Sequence, residues 1–292
     1  MRCLTEKEYS IVQETLLGDE GEQLCMSVLD IAMGQEPRGG AEHISWLQDL
    51  GWYNDNGLTE IGQLISDPIR EFGFWKDRDG LLPSEDRVPI LNRNRFKNKR
   101  VLELGSGGGC NLLSLTNIPR QLTGLEPMPV YRQMTPILAK LAGLPEPEVL
   151  EGFAEQIPLE NNSYDVVICY TSHQYMDIDL ALTEMARVLD DNGELIIVGN
   201  TIYPFISETI INFFKNRELS TAKYNLISIV NTFYYQMFGK RLIKGRNGTT
   251  TATPIYPSRG YMLKQLKKIG LSWNKQETYT VDSGETVLVA NS

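Results

Sequence analysis

The stretch VLELGSGGGCNLL, Val101 to Leu113, constrains the fold of this chain more than any other. A short apolar run enters a glycine cluster and leaves it as a helical pattern. Such a unit brings the amide end of a helix against a ligand, with no side chains to hold the ligand off. The sequence around it repeats the rhythm. Strands are expected at Arg100–Leu104, Gln121–Leu125, Val149–Gly152, Tyr164–Tyr170 and Glu194–Gly199, with helices at Val130–Ala142 and Leu180–Leu189. Their continuous apolar character predicts a parallel sheet covered on both faces. A helix at Gly260–Ile269 and two strand-like runs, Leu271–Val281 and Glu285–Ala290, close the sequence, and Asp282-Ser283-Gly284 predicts a hairpin between the runs.

Two segments depart from this rhythm. Residues 1–92 read as helical, with helices at Glu6–Leu17 and Glu22–Met33, another through Leu50, a polar turn at Asn54–Gly57 and a further helix capped by Thr59. This is a winged-helix-like pattern, for which DNA binding is one reading. The formal net charge is −9, from 37 acidic and 28 basic residues, and such a surface repels a phosphate backbone. The basic clusters Arg93–Lys97 and Lys264–Lys268 are short, so no nucleic-acid partner is expected. A module that roofs an active site, and that a homodimer could use, fits better. Residues 93–292 form the second domain, interrupted at about 201–258 by an insertion rich in Phe, Tyr and Ile, with a mobile closing segment expected at Gly245–Thr253.

Composition excludes further classes. The four cysteines, Cys3, Cys25, Cys110 and Cys169, have no metal-ligand spacing, and with only two histidines no metal site is expected. Unpaired thiols fit a reducing cytoplasm. The opening MRCLTEKEYS is not a secretory signal, and no apolar run approaches the ~20 residues that span a bilayer. A cytoplasmic protein without a membrane partner is the expectation.

The glycine loop itself narrows the ligand. A dinucleotide site favours G-x-G-x-x-G, whereas Gly105, Gly107 and Gly109 give G-x-G-x-G and Cys110 takes the place of the third dinucleotide glycine. This weakens a nicotinamide reading without removing it. Glu126, at the end of the second strand, suits ribose hydroxyls. No phosphate-binding lysine follows the loop, which disfavours a P-loop enzyme.

Four motifs in order resemble the class I S-adenosylmethionine-dependent methyltransferases that act on small molecules (the type-11-like group). They are VLELGSGGGCNLL, GLEPMPV, EGFAEQIPLENNSYDVVIC and HQYMDIDLALTEMARVLDDNGELIIV. The resemblance covers about residues 95–200 well and 258–292 loosely. It implies an α/β fold with a Rossmann-like, doubly wound, mostly parallel seven-stranded sheet whose last strand is antiparallel. It implies S-adenosylmethionine as cofactor, S-adenosylhomocysteine as product and no metal. By the same resemblance Glu103, Gly105, Ser106, Gly107, Gly109 and Asn111 surround the methionine portion, and Glu126 with Pro127 the ribose. Phe153, Ala154, Glu155, Cys169 and Tyr170 complete the cofactor set. Where the family commonly places an aspartate for the adenine amino group this chain has Phe153; Glu155, backbone groups, or packing of Phe153 on adenine are the alternatives.

Methyl transfer to oxygen needs a base, and candidates are few. His43 lies in the N-terminal module and reads as structural. His173 follows the fourth strand, where ligands of open α/β folds bind, and is the candidate catalytic residue; a bland role shaping the site stays open. Tyr175, Tyr203, Phe205, Phe213 and Tyr234 are the candidate acceptor-binding residues, since the family commonly places its substrate lid in the insertion. The sequence therefore reads as a methyltransferase acting on an O or N atom of a hydrophobic small molecule, in natural product biosynthesis. A nucleotide-linked oxidoreductase and a non-catalytic methyltransferase-like partner protein are the alternatives.

Overall fold

A computed structural model describes residues 2–82, 91–216, 219–243, 253–280 and 285–292, with the side chains of 208 and 212–222 also set aside. The sheet runs in the order β5-β4-β3-β6-β7-β10-β8. Its parallel part is β3 (Arg100–Leu104), β4 (Gln121–Leu125), β5 (Glu148–Leu150), β6 (Tyr164–Tyr170) and β7 (Leu189–Asn200). β10 (Glu285–Asn291) pairs antiparallel with β7 on one side, and with β8 (Ser272–Trp273) and β9 (Tyr279–Thr280) on the other. Among the described residues there are thus seven strand positions, the last shared by two short strands. The run 271–281, expected as one strand, divides because the Asn274 side chain accepts from the Gln276 amide at 3.0 Å and turns the chain. β9 and β10 form the expected hairpin; residues 281–284, which join them, lie outside the described residues.

Alternate residues of the strands serve two cores. Leu102, Leu104, Val167, Leu195 and Ile197 pack against α7 (Ile178–Val188) and α10 (Arg259–Lys268). Val101, Val166, Ile168, Ile196 and Val198 face the other way, with Phe96 and Leu115. β7 begins five residues earlier than the sequence suggests. A register shift between Tyr164 and Val166 lets Leu189 pair with Tyr164 before the Asp190–Gly193 segment.

The N-terminal residues form α1 (Glu6–Leu16), α2 (Gly21–Ala32), α3 (Gly40–Asp49), a two-residue ladder of β1 (Tyr53–Asn54) with β2 (Gly57–Leu58), and α4 (Glu60–Lys76). Thr59 caps α4, accepting from the Gly62 amide at 3.3 Å. The apolar face of α4, with Ile65, Ile69 and Phe72, joins Leu24, Val28 and Leu29 of α2 in one buried cluster. That cluster continues into Cys110 and Leu113 of α5 (Cys110–Ser114) and into Met134, Ile137 and Leu138 of α6 (Pro129–Leu141). Each such buried side chain contributes about 1.5–3 kcal/mol. The module is therefore fastened directly onto the helices that flank the glycine loop.

The insertion forms α8 (Ile202–Asn216) and α9 (Leu219–Phe238). Tyr235 anchors α9, its hydroxyl donating to Asp177 at 2.8 Å at the start of α7. Arg241 follows and donates to the carbonyls of Met176 at 2.7 Å and of Gln174 and Thr253 at 3.1 Å. The expected closing segment falls mostly on 244–252, outside the described residues.

Candidate functional site

β3 lies where the sheet order reverses, with β4 and β5 on one side and β6 and β7 on the other, so the carboxyl ends of β3 and β6 open a crevice. The loop leaving β3 occupies it. Gly105, Gly107 and Gly109 adopt φ of 67°, 55° and 79°, a region that L side chains enter at a cost. At Gly107 an added Cβ would also lie 2.4 Å from Glu71 Oε2, so the Glu71 carboxylate would have to move away from the loop.

Three carboxyl groups surround this loop. Glu126, at the end of β4, is buried and accepts from Gly107 N at 2.9 Å through Oε2 and from Met128 N at 2.8 Å through Oε1. Glu103, the penultimate residue of β3, is 3% exposed; its Oε1 accepts from Asn111 Nδ2 at 2.7 Å, while Oε2 is buried with no hydrogen-bond partner. Glu71 reaches in from α4 and accepts from Gly108 N at 2.8 Å. Burial pushes Glu103 up to about 8, with the charges of Glu71 and Glu126 adding to the effect. Burial likewise pushes Glu71 up to about 7, and Glu126 is raised by the same cause. Two consecutive loop amides are thus occupied by carboxylates. A phosphate would meet negative charge there, whereas a cationic ligand would relieve it.

The crevice is braced from β6. Ser172 donates to the Leu104 carbonyl at 2.7 Å and lies 3.2 Å from the Cys169 thiol. Thr171, just past the strand, has φ of 50°, uncommon for a residue other than glycine and most often met at functional sites. Ser106 is buried with its hydroxyl unpartnered. The structure thereby brings together Glu103, Ser106, Gly107, Asn111 and Glu126. Pro127 is half-buried beside them. Cys169 is fully buried in the core, while Tyr170 packs against the opposite core.

At the next strand end, the Glu126 amide donates to the Leu150 carbonyl at 3.0 Å, which sets β5 beside the loop. Phe153 is 51% exposed, so core packing does not account for it, whereas Ala154 is buried. Glu155 accepts from the Asp177 amide at 2.7 Å, which engages its carboxylate in shaping the turn before α7. His173 is buried, and burial lowers its proton affinity to about 4. Its Nδ1 has no partner. So weak and enclosed an imidazole favours the structural of the two roles that the sequence leaves open. His43 is buried too, 2.8 Å from the Ser27 hydroxyl, within the N-terminal module.

The acceptor candidates separate. Tyr175 and Tyr203 are exposed, at 47% and 70%. Phe205 is buried and stacks on Tyr256 with ring centroids 3.9 Å apart. Tyr234 packs on Phe238 at 4.6 Å. Phe213 lies in α8 but outside the described side chains. A cleft of about 440 Å³ between Trp75 and Asn117 contains none of the candidate residues. Sequence reasoning missed Glu71, Ser172 and Arg241, whose roles depend on contacts distant in sequence.

A family model described as a methyltransferase domain matches residues 102–197, from β3 through most of β7. That segment of the chain is similar to a methyltransferase domain. Over 152 residues it is 33% identical to the phthiotriol/phenolphthiotriol dimycocerosates methyltransferase of Mycobacterium leprae, an alignment covering 49% of this chain and 55% of that protein. It is 36% identical over 100 residues to the fatty-acid O-methyltransferase of Mycolicibacterium smegmatis, covering 33% and 35% of the two. The chain spans about half the length of the curated relatives it matches. A solved structure of the Haloferax volcanii complex between the Trm112 methyltransferase activator and a methyltransferase superposes with a TM-score of 0.50 at 14% identity, covering 76% of this chain and 93% of that one. This shows the shared fold. The matched segment thus includes the glycine loop, Glu126 and the β6 end, while α1–α4 and the insertion lie outside the matched residues. Among the described residues no helix is long and apolar enough to cross a membrane.

Proposed function

We propose that this chain transfers a methyl group from S-adenosylmethionine to an O or N atom of a hydrophobic small molecule, in natural product biosynthesis. The observation that carries the reading is the glycine loop whose Gly107 and Gly108 amides are held by carboxylates rather than left free for phosphate. That set of carboxylate acceptors suits a cofactor that is cationic at sulfur and at its amino group, and it disfavours the pyrophosphate of a nicotinamide cofactor. Glu103, Ser106 and Asn111 would hold the methionine portion, Glu126 with Pro127 the ribose, and Phe153 the adenine face. Bound there, the cofactor supplies an electrophilic methyl group on a sulfonium. The chain's own residues align the two partners and keep water away.

The acceptor would lie between the insertion and the N-terminal module. Apolar side chains of α8 and α9, together with relatives named for fatty-acid and dimycocerosate substrates, support a lipophilic acceptor. Tyr175, Tyr203 and Tyr234 are the proposed contacts, and Phe205 supports them by stacking on Tyr256. His173 is assigned to shaping the crevice, so an acceptor hydroxyl would need a substrate already acidic or a base among the tyrosines; an amine need only arrive neutral. The domain division at residue 92, a homodimer through the N-terminal module and a cytoplasmic location belong to the same proposal. Cys3, Cys25, Cys110 and Cys169 are all free, which supports the location.

The test is incubation with methyl-labelled S-adenosylmethionine and a panel of lipophilic alcohols, carboxylic acids and amines, read by mass spectrometry. Label is expected in at least one of them. A protein that binds the cofactor yet labels none of these classes would contradict the acceptor assignment.

A further inference from the structure

Glu71 belongs to the N-terminal module, outside the matched methyltransferase residues, yet both its carboxylate oxygens lie against the glycine loop. Oε2 accepts from Gly108 N at 2.8 Å, and a Cβ added to Gly107 would lie 2.4 Å from Oε2 and 2.9 Å from Oε1. No ion pair among the described residues compensates it, since its neighbour Arg70 pairs with Asp67 at 2.9 Å. Across the loop, the buried Oε2 of Glu103 has no hydrogen-bond partner. A buried carboxylate that lacks a partner draws in a proton or a cation.

We infer that Glu71 is a cofactor-binding residue: with Glu103 it receives the ammonium group at the amino-acid end of the cofactor, so that the N-terminal module completes the cofactor site. This rests on the S-adenosylmethionine reading above. An ammonium offers three donors and no acceptor, which matches a site furnished with carboxylate oxygens. The loop's glycines at 107 and 108 leave the space in which the two elements meet. The charged and titratable groups around Glu71 are Asp67 and Arg70 on its own helix, Glu103 and Glu126 at the strand ends, Tyr131 on α6 and Cys110 on α5. Burial raises both Glu71 and Glu103 toward neutrality, and the surrounding acids, which outnumber Arg70, add to it.

The test compares two ligands on the full chain by calorimetry. S-adenosylhomocysteine carries the amino-acid end, whereas 5′-methylthioadenosine keeps the adenosine and the sulfur and lacks that end. In Glu71→Gln an amide oxygen can still accept from Gly108 N while the charge is gone. Its affinity for S-adenosylhomocysteine is expected to fall about tenfold or more, a size typical of a charge-assisted hydrogen bond. Its affinity for methylthioadenosine should stay within about twofold, and its melting temperature without ligand should not fall. Equal weakening of both ligands would make Glu71 a support of the loop and overturn the inference, as would unchanged affinity for S-adenosylhomocysteine. Wild-type protein that binds neither ligand would instead remove the methyltransferase reading beneath it.

Discussion

The two walls of the proposed site are built differently. The cofactor wall is a set of strand ends joined by hydrogen bonds, where buried Glu103, Glu126 and Ser106 meet backbone held at defined φ. The acceptor wall is two helices held to the body by Tyr235 and Arg241, and it carries exposed Tyr203, Ile210, Ile211, Leu226, Phe233 and Met237. The first is complementary to one ligand and tolerates little change. The second offers apolar area without directional groups, which is how a fold keeps one cofactor while varying its acceptor.

Several perturbations should separate the walls. The largest effect belongs to pH. Glu71 sits at about 7 rather than 4.5, so the folded chain holds a proton that the unfolded chain releases, and stability falls as pH rises between these values. For Glu71 alone the difference of about 2.5 units corresponds to about 3 kcal/mol, and Glu103 adds to it, so urea unfolding at pH 5 and pH 8 should differ by at least that much. Glu71→Gln should make the profile shallower while Glu103, raised to about 8, keeps a slope in the same direction, whereas Arg241→Met should leave the whole profile intact. Binding of an ammonium to the ionised carboxyls has the opposite sign, so affinity for S-adenosylhomocysteine should rise over the same window.

Next in size is Gly107→Ala, which places a methyl group against Glu71 at a positive φ. Affinity for S-adenosylhomocysteine should fall roughly 100-fold by calorimetry. Glu126→Ala should lower it by roughly 30-fold, with a smaller loss in unfolding midpoint, because two backbone amides lose their acceptor. On the other wall, Arg241→Met removes three bonds to carbonyls and should cost about 1–2 kcal/mol of stability, leaving cofactor affinity within twofold. Tyr203→Ser, on the exposed face of α8, should change stability by less than about 0.5 kcal/mol and show itself only in acceptor preference. Cofactor affinity that follows the Arg241 or Tyr203 changes would erase the distinction between the walls.

The same contrast governs what the sequence could say. Arg100–Leu104 and Gln121–Leu125 coincide with β3 and β4, because continuous apolar runs bounded by turns leave little choice. Glu103, Glu126 and the loop glycines were legible because strand, loop and helix are adjacent in sequence. Glu71 was not. It lies 37 residues from Gly108, on a helix whose pattern reports only which face is apolar. His173 was visible as a residue but not as a buried one, since nothing nearby in sequence encloses it; the sheet does. The division of 271–281 into β8 and β9 turned on a single Asn274 side-chain bond that hydropathy does not register.

The central claim is that the carboxyl-lined loop holds a sulfonium-class cofactor and not a dinucleotide. Calorimetric titration of the full chain at pH 7.5 with S-adenosylhomocysteine and, separately, with NAD tests it directly. The account predicts saturable one-to-one binding of S-adenosylhomocysteine and no heat of binding from NAD. Saturable binding of NAD with none of S-adenosylhomocysteine would contradict it.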